Sequence, residues 1–360
     1  MDKLDFTYVP RAGRVVFGAG SLAHLEREVL ALGAQRALIL STPEQRGAVE
    51  AVARILGDRA VGIFDGAVMH VPIEVAREAR EVARRLKADC AIAIGGGSTV
   101  GLGKAIALDS DLPILAIPTT YAGSEMTAIY GITEGGLKRT GTDLRVLPRT
   151  VIYDPMLTLS LPVDMSVTSA INALAHAAEG LYARDVNPIA ALMAEEAIAA
   201  IGEGLPGIHA NPQDVDARAK VLYGAWLAGS VLGSVGMALH HKLCHTLGGS
   251  FNLPHAATHT IVLPHALAYN ADAAPQAMRR IARALKSDDA PRAVYDLAGK
   301  LGAPRSLKDL GMTLADIDKA AEIASANPYW NPRPIEREAI RTLLQNAFEG
   351  SPPQQQGDKP

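Results

Sequence analysis

The stretch DCAIAIGGGSTVGLGKAIAL, residues 89–108, decides the predicted fold of the first part of the chain. Its continuous apolar run CAIAI is typical of a strand that is buried on both faces of a parallel sheet. Gly95, Gly96 and Gly97 follow directly and open a helix, so their backbone can approach a diphosphate and offer it N–H groups. Ser98 could cap this helix or bond a phosphate oxygen. The alternative is a tight strand-to-helix turn that needs glycine for its dihedral angles.

Strand-like and helix-like runs alternate on both sides of this stretch. Short β-type runs are RALILST (36–42), RAVGIFDG (59–66) and LPILAIPTT (112–120). PIEVAREAREVARRLKA (72–88) has the charge pattern of an amphipathic helix and opens on Pro72. This alternation with short connections predicts an α/β domain with a parallel sheet and right-handed crossovers.

Three further segments complete the predicted N-terminal domain. Residues 5–17 alternate in polarity and end in RVVFG, which predicts a strand. Residues 18–33 are expected to form a helix that is capped by Ser21 and closed by Gly33. Residues 121–160 contain several glycines and no clear period, so an irregular excursion is expected there.

The pattern of apolar and polar residues changes after residue 160. From about 163 to 349 the chain shows amphipathic or fully apolar helical patterns and no clear strand pattern. We therefore predict a dinucleotide-binding α/β domain over 1–160 and a helical substrate and catalytic domain over 161–350. The tail SPPQQQGDKP, residues 351–360, is polar and rich in proline and glutamine, which predicts disorder.

Composition bounds the class of protein. The chain has 360 residues, of which 48% are hydrophobic and 20% charged, and its net charge is −3. These values are typical of an ordinary globular protein and give no reason to expect a nucleic acid or a membrane as partner. Cys90 and Cys244 show no disulfide or thiolate metal-site spacing. The N-terminus lacks a signal-peptide pattern and no apolar run reaches membrane-spanning length, so a cytoplasmic location is expected.

A second loop with small and hydroxyl side chains follows the strand predicted at 112–120. PTTYAGSE, residues 118–125, contains Thr119, Thr120 and Ser124. Ligands of α/β proteins gather at the carboxyl ends of parallel strands, so this loop and the glycine loop together predict a nucleotide-binding cleft. Ordinary turn chemistry is the alternative for Thr119 and Thr120.

Six of the ten histidines lie in the stretch GMALHHKLCHTLGGSFNLPHAATHTIVLPH, residues 236–265. His241 and His245 are four residues apart and share one face of a helix, and His255 from the next helix could complete a three-sided site. Such a site can bind a metal ion or a substrate. Taken singly, the other three histidines of the stretch are interpreted as hydrogen-bonded packing residues: His240, His259 and His265.

Several motifs occur in an order that resembles the iron-containing (group III) alcohol dehydrogenase superfamily over nearly all of residues 1–350. They are GGGS at 95–98, PTT and GSE within 118–125, DP at 154–155, N-xxx-H…EG at 172–180, HxxxHxLG at 241–248, PH at 254–255 and NPRP at 331–334. The resemblance implies a Rossmann-like N-terminal domain and an all-α C-terminal domain, as in dehydroquinate synthase, and a nicotinamide cofactor. The implied cofactor contacts are Gly95, Gly96, Gly97, Ser98, Thr119, Thr120, Ser124 and Lys138.

The resemblance also implies positions for the family's metal ligands, an aspartate and three histidines. The matching residues are Asn172, His176, His241 and His255, and His245 matches a second active-site histidine. An asparagine is neutral and a weaker ligand than a carboxylate, which lowers the affinity for Fe²⁺ or Zn²⁺. We therefore expect that a metal is not required. If one binds, its expected ligands are His176, His241 and His255.

The end of the second strand indicates which nicotinamide nucleotide is used. Many members of the superfamily that prefer NAD carry an acidic residue there, which binds the ribose 2′-hydroxyl. Here the sequence is Leu40-Ser41-Thr42-Pro43, with no carboxylate before Glu44. Without that negative charge a 2′-phosphate is tolerated, so we expect use of both NADH and NADPH.

Within the superfamily, the stretches STVGLGKAIAL, TTYAGSEMT, LKRTG, VIYDP and SAINALAHAAEGLYA resemble the maleylacetate reductases. This resemblance implies NAD(P)H-dependent reduction of a carbon–carbon double bond in a dicarboxylate, in the degradation of aromatic compounds. It implies His241 or His245 as proton donor, with Asn172, His176 and His255 orienting the substrate. A homodimer through the N-terminal strand, which presents a sheet edge, is also expected. The candidate substrate contacts are Tyr121, Lys138, Arg145, Lys242 and Arg333.

Three alternative functions remain open from the sequence. The first is a metal-dependent alcohol or hydroxy-acid dehydrogenase of the same superfamily. The second is a cyclase or synthase on the same fold, which retains a metal and consumes no net NADH. The third is a non-enzymatic nucleotide-binding module, against which the clustering of six histidines argues.

Overall fold

The computed structural model describes residues 6–9, 13–135, 137–326 and 329–354. The chain forms two compact units. An α/β unit contains the described residues within 10–161 together with 213–222, and a helical unit contains those within 1–9, 162–212 and 223–360. The predicted disordered tail at 351–360 lies mostly outside the described residues.

Parallel strands form the main sheet of the α/β unit. The strands are Arg14–Phe17 (β1), Ala37–Leu40 (β2), Ala60–Phe64 (β3), Cys90–Gly95 (β4), Ile114–Pro118 (β5), Ile129–Glu134 (β6), Leu137–Thr142 (β7) and Thr150–Tyr153 (β8). The sheet has the order β1-β8-β5-β4-β2-β3, and each of its pairings is parallel. Every residue of β4 and β5 is buried, because one face of β4 packs Ile92 and Ile94 into one apolar cluster and the other packs Ala91 into a second. The predicted parallel sheet is confirmed.

Helices follow β1, β2, β3 and β4 of this sheet. They are Leu25–Ala31 (α1), Arg46–Leu56 (α2), Ile73–Arg85 (α3) and Gly97–Ser110 (α4). The amphipathic pattern predicted from Pro72 onward is confirmed, because α3 starts after Pro72 and buries Ala76, Ala79 and Ala83 on one face.

The predicted cap at Ser21 is wrong. Residues Ser21–His24 form a 3-10 turn ahead of α1, and Ser21 Oγ donates a hydrogen bond to the carbonyl oxygen of Tyr153 at 3.1 Å. The hydroxyl therefore ties this turn to β8 instead of satisfying a helix N–H group. Gly33 does follow the end of α1, with a φ of +76° that favours glycine.

The prediction of an irregular excursion over 121–160 is wrong in part. Strands β6 and β7 pair as an antiparallel ribbon, with Tyr130 opposite Gly141. The Tyr130 ring lies over Gly141, where an added Cβ would come 2.5 Å from Tyr130 Oη. Gly135 forms the turn of the ribbon with a φ of +57°. One glycine is needed for the turn and the other for the close approach of the Tyr130 ring. Because glycines are also typical of loops, the sequence pattern of this ribbon resembles that of an irregular segment.

The helical unit contains the remaining helices. They are Val163–Gly180 (α5), Pro188–Ala210 (α6), Val215–Leu232 (α7), Leu239–Phe251 (α8), His255–Asn270 (α9), Pro275–Ala284 (α10), Ala290–Lys300 (α11), Asp316–Ala326 (α12) and Arg337–Glu349 (α13). Leu239, Leu243 and Leu247 lie four residues apart on α8 and share an apolar cluster with Ile317 and Leu344. The described residues between 163 and 349 contain no strand, as predicted. None of the described helices has the length and apolarity needed to cross a bilayer.

The first two turns of α7 belong to the α/β unit, although their helical period places them in the predicted helical domain. Arg218, which has no exposed surface, fixes them there. Its Nη2 donates to the Leu161 carbonyl oxygen at 3.0 Å, and its Nη1 donates to Tyr121 Oη at 3.4 Å. A buried guanidinium needs such partners, so its contacts rather than its period decide where this segment packs.

Candidate active site

The glycine loop joins β4 to α4 and has the shape of an anion site. Gly95 has a φ of +148°, and an added Cβ would lie 2.5 Å from Thr99 Oγ1. Gly96 is the N-cap residue of α4, and an added Cβ would lie 3.1 Å from Thr120 Cγ2. The loop therefore needs glycine at position 95 and has little room for a side chain at position 96, and the N-terminal amides of α4 are left for a negatively charged group.

The second predicted loop lies beside the first, because β4 and β5 are neighbours. Gly95 is in register with Pro118, and the Thr119 N–H donates to the Gly95 carbonyl oxygen at 3.0 Å. Several buried hydroxyl oxygens in the first turn of α4, in the second loop and at the end of β2 have no partner within the described residues: Ser41 Oγ, Thr99 Oγ1, Thr119 Oγ1 and Ser124 Oγ. Buried hydroxyls are ordinarily hydrogen-bonded, so this set fits a ligand that carries phosphate and ribose oxygens.

Three other residues were predicted to bind the cofactor or the substrate near these loops. Ser98 is half-buried in the first turn of α4. Lys138 lies in β7, and its side chain falls outside the described part of the structure. Tyr121 has no exposed surface and shares its hydroxyl with Arg218, which speaks against direct contact with a substrate.

A buried lysine supports the second loop and was not singled out in the sequence. Lys104 lies in the apolar helix run GLGKAIAL, and its side chain is almost fully buried. Its Nζ donates at 2.7–2.9 Å to Ser124 O, Thr127 O, Thr127 Oγ1 and Ile129 O. Burial lowers the pKa of Lys104 to about 7, and the charge of buried Glu125 opposes that shift. A lysine in an otherwise apolar helix was the signal that could have identified it.

Replacing Gly95 with alanine is expected to weaken nucleotide binding at least about tenfold, which corresponds to ~1.4 kcal/mol. The new methyl group would collide with the stiff Thr99 side chain in a backbone conformation that strains any L-residue. Titration of NADH and NADPH fluorescence measures the effect. The control is Gly47→Ala in α2, where an added Cβ meets nothing within 4 Å and affinity should not change. Unchanged affinity of the Gly95 variant would contradict a role for this loop.

The helical unit brings four buried histidines together, named here the histidine cluster: His176, His240, His241 and His259. Ring centroids are 5.0 Å apart for His176 and His241, 5.1 Å for His241 and His259, and 4.8 Å for His240 and His259. The rings come from α5, α8 and α9, and α9 packs against both other helices. Three helices are therefore needed to form the cluster.

Two of the residues predicted for catalysis, His176 and His241, belong to this cluster, and the other three lie close to its members in the chain or in space. Asn172 lies one turn before His176 on α5, with a buried Oδ1 that has no partner within the described residues. His245 and His255 are exposed, with ring centroids 6.2 Å from His241 and 4.2 Å from His259, respectively. His240 and His259, which singly were interpreted as packing residues, belong to the cluster. His265 is buried, and no ring contact in the described structure joins it to the cluster.

Glu179 is a site residue for which the sequence analysis predicts no role. It lies in the EG pair at the end of α5 and is fully buried. Its Oε2 accepts from His241 Nδ1 at 2.7 Å and from the Ala238 N–H at 2.9 Å, and its Oε1 accepts from the His240 N–H at 2.8 Å. Burial raises the pKa of Glu179, and nearby His240 and these amide donors oppose that shift. Its place three residues after His176 was the available signal.

Burial favours the neutral form of the histidines in the cluster. Burial lowers the pKa of each of them, and the neighbouring imidazoles add to the effect. For His240 the pKa falls to about 3. Several ring nitrogens have no hydrogen-bond partner within the described residues: His176 Nδ1, His240 Nδ1, His241 Nε2 and both nitrogens of His259. Such a set of open polar atoms suits a polar substrate.

Two predicted cations lie in the same helical unit and rest on aromatic rings. Lys242 Nζ is 5.5 Å from the ring centroid of Tyr329. The guanidinium of Arg333 is 4.1 Å from the ring centroid of Tyr269, and its Nη1 donates to the backbone carbonyl oxygen of Tyr269 at 3.3 Å. Arg145 lies in the α/β unit and is paired with an aspartate at 2.7 Å, which makes it a weaker candidate for a substrate carboxylate.

Three members of the cluster offer donors for a metal ion. Within the described residues, His240, His241 and His259 each present a ligand nitrogen within 4.8 Å of the others. This set shares only His241 with the predicted ligands His176, His241 and His255. It contains no anionic donor, and His240 Nε2 already lies 3.0 Å from the carbonyl oxygen of His259.

Two family models match the chain. The model described as iron-containing alcohol dehydrogenase matches residues 12–155. The model described as Fe-containing alcohol dehydrogenase family, C-terminal, matches residues 166–348. The two matches divide near the change from the α/β unit to the helical unit.

Relatives of known name align over almost the whole chain. A maleylacetate reductase from Burkholderia cepacia is 65% identical over 348 residues, which are 97% of this chain and 99% of that protein. A maleylacetate reductase from Sphingobium indicum is 59% identical over 97% of this chain and 99% of that protein. The crystal structure of maleylacetate reductase from Rhizobium sp. strain MTP-10005 superposes with a TM-score of 0.94 at 54% identity, covering 98% of this chain and 100% of that one.

Proposed function

Because this chain belongs to the iron-containing alcohol dehydrogenase family, whose members depend on nicotinamide nucleotides, we propose that it reduces maleylacetate to 3-oxoadipate with NADH or NADPH. Relatives named maleylacetate reductase share 65% and 59% of their residues with it over nearly its full length. The structural observation that carries the proposal is the neutral amide of Asn172, one turn from His176 on α5, beside a buried histidine cluster.

The proposed reaction is a conjugate reduction. A bound nicotinamide supplies hydride to the alkene carbon β to the ketone, and a proton from the protein reaches the α carbon, so that NAD(P)H is oxidised and the double bond becomes a single bond. Negative charge develops on the ketone oxygen as in an enolate, which is more stable than an alkoxide. Hydrogen-bond donors can therefore stabilise it without a Lewis acid.

We assign the site residues two roles in this reaction, orienting the substrate and supplying the proton. Asn172 and His176, one turn apart on α5, have open polar atoms that can orient the substrate. His241 is buried within hydrogen-bonding range of Glu179, and His245 is the exposed histidine one turn later on α8. One of these two supplies the proton or polarises the enolate oxygen. His255 lies at the exposed start of α9 and completes the set of orienting groups.

The dicarboxylate substrate needs cationic partners. Lys242 and Arg333 are half-buried in the helical unit and are held against aromatic faces. Such contacts restrict the side chains and lower the entropy lost when they bind a carboxylate. We therefore propose them as the carboxylate contacts, in preference to Tyr121.

The end of β2 supports the use of both nicotinamide nucleotides. Ser41 there is buried, and its hydroxyl has no hydrogen-bond partner among the residues that the structure describes, while Thr42 precedes a 3-10 turn that contains Glu44. No carboxylate precedes Glu44 to repel a ribose 2′-phosphate. We propose that NADH and NADPH are both accepted.

The donor set fits an iron ion poorly. The family typically binds iron, and its aspartate ligand is replaced here by Asn172. Glu179 cannot take its place, because its oxygens are used by His241 and by backbone amides. We propose that the reduction does not require a metal. The group His240, His241 and His259 favours the second candidate, a metal-dependent alcohol or hydroxy-acid dehydrogenase.

Replacing Asn172 with aspartate is expected to raise the affinity for Fe²⁺ or Zn²⁺ at least about tenfold, since an anionic oxygen is a stronger ligand than an amide. Metal retained after dialysis, measured by mass spectrometry, reports the effect. Asn187→Asp is the matched control, because Asn187 is also buried but caps α6 through Ala190. Equal metal retention in both variants would contradict the inherited ligand position.

A turnover assay tests the function directly. Oxidation of NADH and of NADPH is followed at the nicotinamide absorbance band with maleylacetate, before and after removal of metal by a chelator. We expect one nucleotide oxidised per substrate with full activity after chelation. Activity that returns only with Fe²⁺ or Zn²⁺ would support the metal-dependent dehydrogenase instead, and turnover without nucleotide oxidation would support a synthase.

We also propose a homodimer. Strand β1 lies at one edge of the main sheet and has backbone groups on its outer side that can pair with another strand.

A further inference from the structure

We infer that Glu179 is a positioning residue that fixes the tautomer of His241 and the start of α8, so that His241 presents Nε2 to the substrate. Its catalytic consequence rests on the proposed function, whereas the tautomer rests on geometry alone.

Both carboxylate oxygens of Glu179 face hydrogen-bond donors. Oε2 receives the N–H groups of Ala238 and His241 at 2.9 and 3.3 Å, and Oε1 receives the His240 N–H at 2.8 Å and the Tyr182 hydroxyl at 3.4 Å. Backbone amides can only donate, so both oxygens act as acceptors. His241 Nδ1, 2.7 Å from Oε2, must therefore carry a hydrogen atom.

This hydrogen bond determines what the other ring nitrogen offers. In a neutral imidazole with a protonated Nδ1, the lone pair is on Nε2. His241 Nε2 is buried and has no hydrogen-bond partner within the described residues. The ring lies beside those of His176 and His259, with centroids 5.0 and 5.1 Å away. His241 Nε2 is therefore an open acceptor, and it can supply a proton to the substrate only after it has taken one up, a state that the Glu179 carboxylate at Nδ1 stabilises.

The same carboxylate organises the start of α8. Helix α8 begins at Leu239, and its N-cap residue, Ala238, has no side chain that could accept a hydrogen bond. Glu179 belongs to α5 and takes over this role for three amides of the first turn. A negative charge at a helix N-terminus is favourable, which offsets part of the cost of burying it.

If Glu179 only capped α8, its hydrogen bond to the His241 ring would not be needed. An aspartate or serine at position 238 could satisfy the same amides from within the chain segment. Placing the carboxylate on α5 instead couples the orientation of His241 to the helix that carries Asn172 and His176. The relative positions of these three side chains therefore depend on Glu179.

The tautomer can be measured without any assay of activity. Histidines are labelled with ¹⁵N, and the ring signals of His241 are assigned by their loss in His241→Asn. We expect the wild-type protein to show a protonated Nδ1 and an unprotonated Nε2 at His241. A protonated Nε2 with an unprotonated Nδ1 would overturn the inference, whether or not the protein reduces maleylacetate.

Two variants of Glu179 separate positioning from folding. Glu179→Leu removes both acceptors, and we expect mixed tautomers and a kcat lower by roughly 100-fold, while KM changes little. Glu179→Gln keeps one oxygen, which can still accept from His241 Nδ1, so the wild-type tautomer and a kcat within about tenfold of wild type are expected. If the leucine variant fails to fold, the glutamine variant and the wild-type spectrum still decide the outcome.

Tyr182→Phe is the matched control. It removes the weakest bond to Glu179, at 3.4 Å, and leaves those to His241 and the amides in place. We expect the tautomer, kcat and KM of this variant to match wild type. A folded leucine variant with wild-type kcat, or a uniform loss of kcat in all three variants without any change of tautomer, would show that Glu179 has only a structural role.

Discussion

Replacing His241 with asparagine is expected to lower kcat for maleylacetate by about 10²- to 10⁴-fold, the range that a positioned acid or base contributes. His241 is the member of the histidine cluster that Glu179 orients, and its Nε2 has no other partner within the described residues. The variant loses an interaction made in the transition state, so kcat and kcat/KM should fall together. Steady-state kinetics with saturating nucleotide measure both constants.

The matched control is His265→Asn. His265 lies in the same histidine-rich stretch and is also buried, but it does not contact the cluster rings in the described structure. Its kcat per folded molecule should stay within about threefold of wild type, since it has no partner in the reaction. A His241 variant that keeps a kcat in that range would contradict the proposed role.

His245→Asn extends this experiment to the choice of proton donor. His245 is exposed and lies one turn after His241 on α8. If His245 donates the proton, its variant should lose as much activity as that of His241. If His241 donates it, the loss at position 245 should be the smaller of the two.

The sequence pattern predicted the glycine loop and its strand, because both depend on residues that are neighbours in the chain. The run CAIAI became the buried strand β4, and the glycines after it became the turn into α4. The glycine loop and the hydroxyl-rich loop are neighbours because β4 and β5 pair in parallel and end at the same edge of the sheet. These features need only strand burial and the direction of parallel strands, both of which the sequence pattern carries.

The composition of the histidine cluster could not be predicted in the same way. His240 and His259 are 19 positions apart, and each alone has the pattern of a packing residue. Their rings meet because α8 packs against α9, and no local period encodes that contact. Glu179 was overlooked for the same reason, since the amides that it caps belong to a helix 59 residues later in the chain. Packing between helices decides such sites, and a single sequence shows only which faces are available.

Replacing Lys104 with methionine is expected to lower the free energy of unfolding of the protein by about 3–5 kcal/mol, the cost of removing one partner from a buried charged network. The substitution keeps the length and apolar stem of the side chain but removes the donor to four oxygens of residues 124–129. Thr127 O lies in the buried part of this network, and a buried oxygen that loses its partner costs about 1–3 kcal/mol unless water reaches it. The melting temperature should fall by roughly 10 °C.

The same change should weaken nucleotide binding, because Ser124, at the end of the second loop, would lose one of the hydrogen bonds to its carbonyl oxygen. Thermal unfolding and nucleotide titration are therefore measured together. Lys300→Met is the matched control, since Lys300 is exposed near the end of α11 and its loss should cost less than about 0.5 kcal/mol. A Lys104 variant that unfolds at the temperature of this control would show that the four oxygens find other donors. A variant that is destabilised but binds nucleotide normally would show that Lys104 supports the fold without shaping the cofactor loop.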